Sequence, residues 1–383
     1  MQKIYVDHAA TTPVHPEACE AMMDVLKNNF GNPSSIHQHG RKARKQLDEA
    51  REKLAASIGA RPDEIILTSS GTEADNLAIV GYVTANKQKG NHIITTKIEH
   101  HAVLHTCERL EKEGFSVTYL PVDEQGRVDV KEVEASITDQ TTLITIMHGN
   151  NEVGSIQPVT AIADIAENYG IAFHTDAVQS YGLVDINVKT TSITMLTASS
   201  HKINGPKGAA FLYVENGTTL APSLTGGEQE RKRRAGTENL PAVAGFAAAA
   251  RLAQTDSQEH YRFYQALCEH FITSLTTNQV TFEENGPTQD KLPHITNIYM
   301  PGIEVESFLV QLDMAGISAS SGSACTAGSV EPSHVLDAMF HDQKRASSSV
   351  RFSFGMDNTF EEVEYMAKEI KKITNRSIEE EMI

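Results

Sequence analysis

The sequence predicts an α/β protein: a large domain on a mainly parallel sheet, followed by a smaller α+β domain. Three observations carry that prediction. Short apolar, β-rich runs alternate with amphipathic helical stretches along much of the 383-residue chain, the pattern of parallel strands joined by crossover helices. Chemically distinctive residues fall just after those runs, where open α/β sheets place their ligands. Past residue 256 the strand–helix units shorten, and a polar connector, residues 276–292, interrupts them.

Seven runs read as strands of the large sheet: Ile65–Leu67, His92–Thr96, Ser116–Leu120, Leu143–Met147, Ile171–Thr175, Ile193–Thr197 and Ala210–Val214. The Ala-rich stretch Pro241–Gln254 reads as one helix with proline in its first turn. Tyr261–Leu275 reads as a second, amphipathic helix. Strands near Ile295–Tyr299 and Val350–Phe354, and a last helix from about Thr359, complete the small domain. The predicted division is 15–256 for the large domain, and 1–14 with 257–383 for the small one. On residue pattern alone the N-terminal dozen fits either.

Hydrophobic residues make up 40%, ample for a large core, and the net charge is −17. So acidic a surface disfavours broad binding to nucleic acid or anionic membranes. No apolar run approaches the roughly 20 residues of a membrane span. The four cysteines are far apart, with no zinc spacing, which fits a reducing cytoplasm. Cys19, Cys107 and Cys268 each recur with apolar neighbours at helical spacing and read as small core residues. Cys325 differs. It sits in Ser320-Ser321-Gly322-Ser323-Ala324-Cys325-Thr326-Ala327-Gly328-Ser329, a run with nothing to bury it, and a reactive nucleophile is the favoured reading.

The run Thr68-Ser69-Ser70-Gly71-Thr72-Glu73 follows a strand and opens a helix. Ser70 with Glu73 fits a capping box. Gly71 and the unpaired N–H groups of a helix start also suit a phosphate, with Thr72 adding a hydroxyl. Asp176 ends another strand; it can pair with a cation in the crevice or cap the next turn. Lys202 stands between a strand and a Gly/Pro turn. A lysine in a partly desolvated crevice is an amine nucleophile, and Ser199 and His201 would add donors beside it. Glu99-His100-His101 sits at a further strand-to-helix junction, and the residues do not say which histidine faces the crevice. The basic run Arg231-Lys232-Arg233-Arg234 suits internal ion pairs or phosphate contacts better than nucleic acid in so acidic a chain.

These pieces together resemble the NifS/IscS-type cysteine desulfurases, pyridoxal 5'-phosphate (PLP) enzymes of the class V aminotransferase family and fold type I. The resemblance runs from Tyr5-Val6-Asp7-His8-Ala9-Ala10-Thr11-Thr12 through Gly71-Thr72-Glu73-Ala74-Asp75-Asn76, Glu99-His100, Asn150-Asn151-Glu152-Val153-Gly154 and Asp176-Ala177-Val178-Gln179. It continues with Ser199-Ser200-His201-Lys202, Arg234-Ala235-Gly236-Thr237, Ser321-Gly322-Ser323-Ala324-Cys325 and Arg351-Phe352-Ser353-Phe354-Gly355.

The resemblance implies that Lys202 holds the cofactor aldehyde, Asp176 pairs with the ring nitrogen, Gln179 bonds the ring hydroxyl and His100 stacks on the ring and moves protons. It implies a phosphate site of Gly71, Thr72, Ser199 and His201, with Thr237 reaching over from a second subunit of a homodimer. Asn151 and Arg351 would grip the carboxylate of L-cysteine. The products would be L-alanine and a persulfide on Cys325, handed to a sulfur-acceptor protein serving tRNA thiolation (a tRNA thiouridylase) or an iron–sulfur scaffold. A selenocysteine lyase, or another PLP-dependent β-elimination enzyme, is the alternative. The short C-terminus, Ile378–Ile383, departs from members with a longer docking tail.

Overall fold

The computed structural model describes residues 3–255, 257–322 and 332–381. Its strands are β1 (Ile4–Tyr5), β2 (Ile65–Thr68), β3 (His92–Thr96), β4 (Ser116–Leu120), β5 (Thr141–Thr145), β6 (Ala172–Asp176), β7 (Met195–Ser199), β8 (Ala210–Val214), β9 (Glu283–Asn285), β10 (Ile295–Tyr299), β11 (Ile317–Ser318) and β12 (Ser349–Ser353). Four helices matter most to the site: α1 (Pro16–Asn28), α2 (Gln38–Ala56), α3 (Gly71–Ala85) and α4 (His101–Lys112).

The seven expected runs form one seven-stranded sheet in the order β2-β8-β7-β6-β5-β3-β4. Strands β4, β3, β5, β6 and β7 pair in parallel, and β8 runs antiparallel to both β7 and β2. β2 therefore points the same way as β7, and the carboxyl ends of β2, β3, β5, β6 and β7 share one edge. Most of these strands are buried along their whole length. That explains why their sequences are continuous apolar and Thr runs rather than alternating ones. β5 begins and ends two residues earlier than expected, and β6 and β7 start one and two residues later. An unbroken apolar run carries no period-2 mark to fix its ends.

Helices cover both faces of the sheet. α1 and α2 pack against the Leu240–Thr255 helix. The approach of α1 is close: a Cβ at Gly245 would lie 2.7 Å from Met22 Cγ. Phe211, Phe246 and Tyr181 form an aromatic cluster between helix and sheet, with Phe211 and Phe246 stacked 5.7 Å apart. Burying each phenylalanine contributes up to about 3 kcal/mol.

A separate apolar core gathers Ile4 and Val6 with Leu267, Phe271, Ile298, Phe308, Phe352 and Met366. Its sheet is β12-β10-β9, antiparallel, and β1 lies parallel to β11. The first residues of the chain thus pack against some of its last.

Cys19 is a correction. Cys107 and Cys268 are buried as expected, but Cys19 is exposed. The inward stripe of α1 is Ala18, Met22 and Val25; Cys19, Met23 and Leu26 lie one step round the helix and face outward. With Phe30, 73% exposed, and Ile36, 89% exposed, they leave apolar surface uncovered.

Candidate active site

The shared carboxyl edge of the sheet assembles the site. Asp176 is the last residue of β6 and is buried. One oxygen accepts from the Val178 backbone N–H at 2.9 Å. Burial pushes its carboxyl up to about 6, against the opposing pull of that N–H and the Lys202 charge. Asp176 thus bonds the next turn and lies within the field of the Lys202 charge.

Lys202 follows β7 on the short connection to β8. Its Nζ donates to the Ala9 carbonyl and, at 2.9 Å, to the Ala10 carbonyl. Gln179 Nε2 donates to the same Ala9 carbonyl at 2.8 Å. The N-terminal segment so brings Lys202 and Gln179 to one point. His201, beside Lys202, has Nδ1 3.2 Å from Thr11 Oγ1, and burial lowers it to about 4.

The structure separates the two histidines of the α4 junction. His100 caps α4, its Nδ1 accepting from the Ala102 N–H at 3.1 Å. Burial and the Lys202 charge lower it to about 4, so it is neutral near pH 7. His101 points elsewhere, packing its ring against His105 and His334 at 4.9 and 4.7 Å.

At the other side of the crevice the head of α3 meets the end of β7. Ser70 caps α3, accepting from the Glu73 N–H at 3.1 Å. Glu73 does not close the expected box: its carboxylate accepts from the Ser69 N–H and hydroxyl and pairs with Arg234 at 2.7 Å. A Cβ at Gly71 would come within 3.0 Å of Val178 Cγ2 and 3.9 Å of the Ser199 Cβ. The Ser199 hydroxyl is buried and has no hydrogen-bond partner among the described residues. Thr72 is exposed on the first turn of α3. Thr237 lies exposed in the loop before the Leu240–Thr255 helix and makes no side-chain hydrogen bond among the described residues.

Arg351 of β12 comes from the small core. It is buried, its Nη2 pairs with Asp7 at 2.7 Å and its Nη1 donates to the Asn151 carbonyl at 2.9 Å. Its buried Nε has no partner among the described residues. Asn151 is half-buried on a turn shaped by Asn150, whose Oδ1 accepts from the Glu152 and Val153 N–H groups. Cys325 lies outside the described residues. The chain on either side of that segment converges on Glu152: Ser333 Oγ donates to Glu152 Oε2 at 2.5 Å, and a Cβ at Gly322 would touch the same oxygen.

A family model, aminotransferase class V, matches residues 4–366. A Bacillus subtilis (strain 168) protein of the IscS type is 53% identical over 377 residues, covering 98% of this chain and 100% of the relative. The cysteine desulfurase IscS of Dictyoglomus turgidum is 44% identical over 375 residues, with 98% and 95% covered. A solved NifS-like protein superposes with a TM-score of 0.92 at 34% identity, covering 98% and 100%.

The chain belongs to the class V aminotransferase family.

Class V aminotransferases of the cysteine desulfurase type depend on PLP, and the residues present fit that cofactor. The unpartnered Ser199 hydroxyl and the narrow space over Gly71 suit a phosphate against the N–H groups of α3. A buried acid and an amine stand at the same sheet edge. Lys202, Asp176, Ser199, His201, Gly71, Gln179 and His100 are the residues that would hold the group.

Sequence reasoning passed over several parts of this class V site. Glu99 is fully buried, accepts from the Thr96 hydroxyl at 2.6 Å and the Met147 N–H at 3.0 Å, and is pushed up to about 8 by burial. It ties the His100 turn to the end of β5. Glu230 hides beside the basic run: it takes both guanidinium nitrogens of Arg51, at 2.7 and 2.5 Å, and the Leu67 N–H at 2.9 Å. That anchor holds three successive residues, Glu230, Arg231 and Lys232, at φ of 47°, 58° and 67°. Within the basic run Arg234 pairs with partly buried Glu73, while Arg231 with Asp63 and Lys232 with Glu228 pair at the exposed surface. An isolated acid in a motif gives no sign that it will be buried, so only the fold reveals these anchors.

Proposed function

We propose that the protein is a cysteine desulfurase that takes sulfur from L-cysteine, releases L-alanine and keeps the sulfur as a persulfide on Cys325. The observation that carries this is the convergence of Lys202 and Gln179 on the Ala9 carbonyl beside buried Asp176, with Arg351 entering the same crevice from the second core. Bound PLP supplies an electron sink that lets bonds at the substrate Cα and Cβ break.

The chain's residues do the rest. Lys202 would hold the cofactor aldehyde, and its Nζ, once free, would take and return the substrate Cα proton. Asp176 would keep a negative charge near the ring nitrogen, and Gln179 would serve the ring hydroxyl. His100, neutral near pH 7, would lie on the ring side of the site and move protons. Gly71, Thr72, Ser199 and His201 would hold the phosphate, helped by Thr237 of the partner subunit. Arg351 and Asn151 orient the substrate carboxylate, a two-pronged task suited to a guanidinium. The Cys325 thiolate attacks the substrate sulfur. The Cβ–S bond breaks as the S–S bond forms, and the electron pair left on Cβ takes up a proton to give the alanine methyl group.

The chain divides into a large unit, 15–256, and a small one, 1–14 with 257–383. The outward stripe of Cys19, Met23, Leu26 and Phe30 supports a homodimer, since an apolar surface of this kind favours a subunit contact. The persulfide passes to an acceptor protein for tRNA thiolation or iron–sulfur assembly. Among the described residues no helix is long and apolar enough to cross a membrane, and a cytoplasmic enzyme fits.

The test is incubation of PLP-loaded protein with L-cysteine, measuring alanine and locating added sulfur by peptide mass. Alanine with Cys325 unmodified at every time point would sink the persulfide route. Cys325→Ala is expected to stop turnover of cysteine. If it also leaves selenocysteine turnover intact, direct sulfur abstraction is separated from lyase chemistry.

A further inference from the structure

Behind Asp176 lies a second buried acid to which the reaction assigns no task. Asp75, early in α3, is 1% exposed. α3 packs across β5, β6 and β7. His174 and Asp176 are two residues apart on β6, so both leave the sheet on one face. Asp176 pairs in register with Thr197 of β7. The Thr197 hydroxyl lies against the Asp75 carboxyl and 3.1 Å from His174 Nε2. His174 Nε2 stands 3.7 Å from Asp75 Oδ1, and that oxygen is buried with no hydrogen-bond partner among the described residues.

Two carboxylates buried on one face of the sheet repel each other and cannot both ionise cheaply. Their surroundings break the tie. Asp176 accepts a backbone N–H and meets Lys202. Asp75 is faced by Asp176 and His174 from β6, Thr197 from β7 and, further off, Glu99 from the turn before α4. None of these is a cation: burial lowers His174 to about 3 and raises Glu99 to about 8.

We propose that Asp75 is a positioning residue that carries the proton of this buried pair and so reserves the negative charge for Asp176. The inference rests on reading Asp176 as the partner of the cofactor ring nitrogen. With Asp75 protonated, hydrogen bonds run in one direction: Asp75 donates to Thr197, Thr197 to His174 Nε2, and His174 Nδ1–H to Thr145, 2.8 Å away. The chain spans three strands and locks the face on which Asp176 stands.

Infrared difference spectra of PLP-loaded wild type and Asp75→Asn, near pH 7, test it. The expected result is a protonated-carboxyl band in wild type that is missing in D75N and moves on isotopic labelling of aspartate, which sets it apart from Glu99. D75N should keep the visible spectrum of the bound cofactor and its affinity within about threefold, whereas Asp176→Asn should lose at least about tenfold. No such band, or a D75N protein whose spectrum and affinity follow D176N, overturns the proposal. Wild-type protein that shows no cofactor absorption at all would instead overturn the functional reading beneath it, and the two failures are told apart by that spectrum.

Discussion

The two ends of the crevice are built differently. The floor around Asp176 comes from adjacent strands of one sheet and from helices that start at its edge, and its polar groups bond largely to one another. The end around Arg351 is drawn from three distant segments, residues 7, 151 and 351, with the guanidinium already shared between Asp7 and the Asn151 carbonyl. The floor is a fixed electrostatic platform. The Arg351 end is a set of exchangeable contacts, where a substrate carboxylate must compete with Asp7. Changes at the floor should therefore strike cofactor retention and chemistry, and changes at the far end should strike substrate affinity.

Lys202→Ala should break the floor most severely. Turnover of cysteine is expected to fall by about 10³-fold or more, with loss of the covalently held cofactor band in the visible spectrum. Arg351→Ala should raise KM for cysteine by about 10–100-fold while the cofactor spectrum stays unchanged. A lost cofactor band in that variant would contradict the division between the two ends.

The floor should also respond to pH. Burial raises Asp176 to about 6, so its charged form is the costly one. As pH falls through about 6 it takes up a proton, and PLP affinity, read by equilibrium titration, should decline below that point and level off above it. Asp176→Asn should flatten the profile at the weak level. The smallest expected effect is at the phosphate end. Gly71→Ala puts a methyl 3.0 Å from Val178, and should weaken PLP binding about three- to tenfold with little change in KM for cysteine.

The floor was largely legible in the sequence, because a parallel sheet puts chemistry immediately after its strands. Asp176, Ser199 and Lys202 each follow an apolar run, and Gly71 opens the next helix. The Arg351 end was not legible from residues. Nothing in the spacing of Asp7, Asn151 and Arg351 marks them as neighbours; the family resemblance joined Asn151 to Arg351, and the Asp7 pair came from the fold alone. The residues alone could not tell His100 from His101; the family resemblance chose His100, which feels the Lys202 charge while His101 packs on His105 and His334. Cys19 misled because α1 carries two apolar stripes, and periodicity does not say which one meets the Leu240–Thr255 helix. Asp75, Glu99 and Glu230 were silent because charged residues are read as surface until a fold encloses them.

The one reversed strand of the seven-stranded sheet, β8, has a further effect on the lysine. Because β8 doubles back beside β7, with Ser199 opposite Ala210, the chain carrying Lys202 is a return whose two ends are pinned by one ladder, with Ser200 N–H donating to the Ala209 carbonyl. A longer crossover to a helix would give its nucleophile a slack mooring. Here the backbone beneath the amine can shift little without sliding two strands past each other, so motion must come from the side chain's own four carbons.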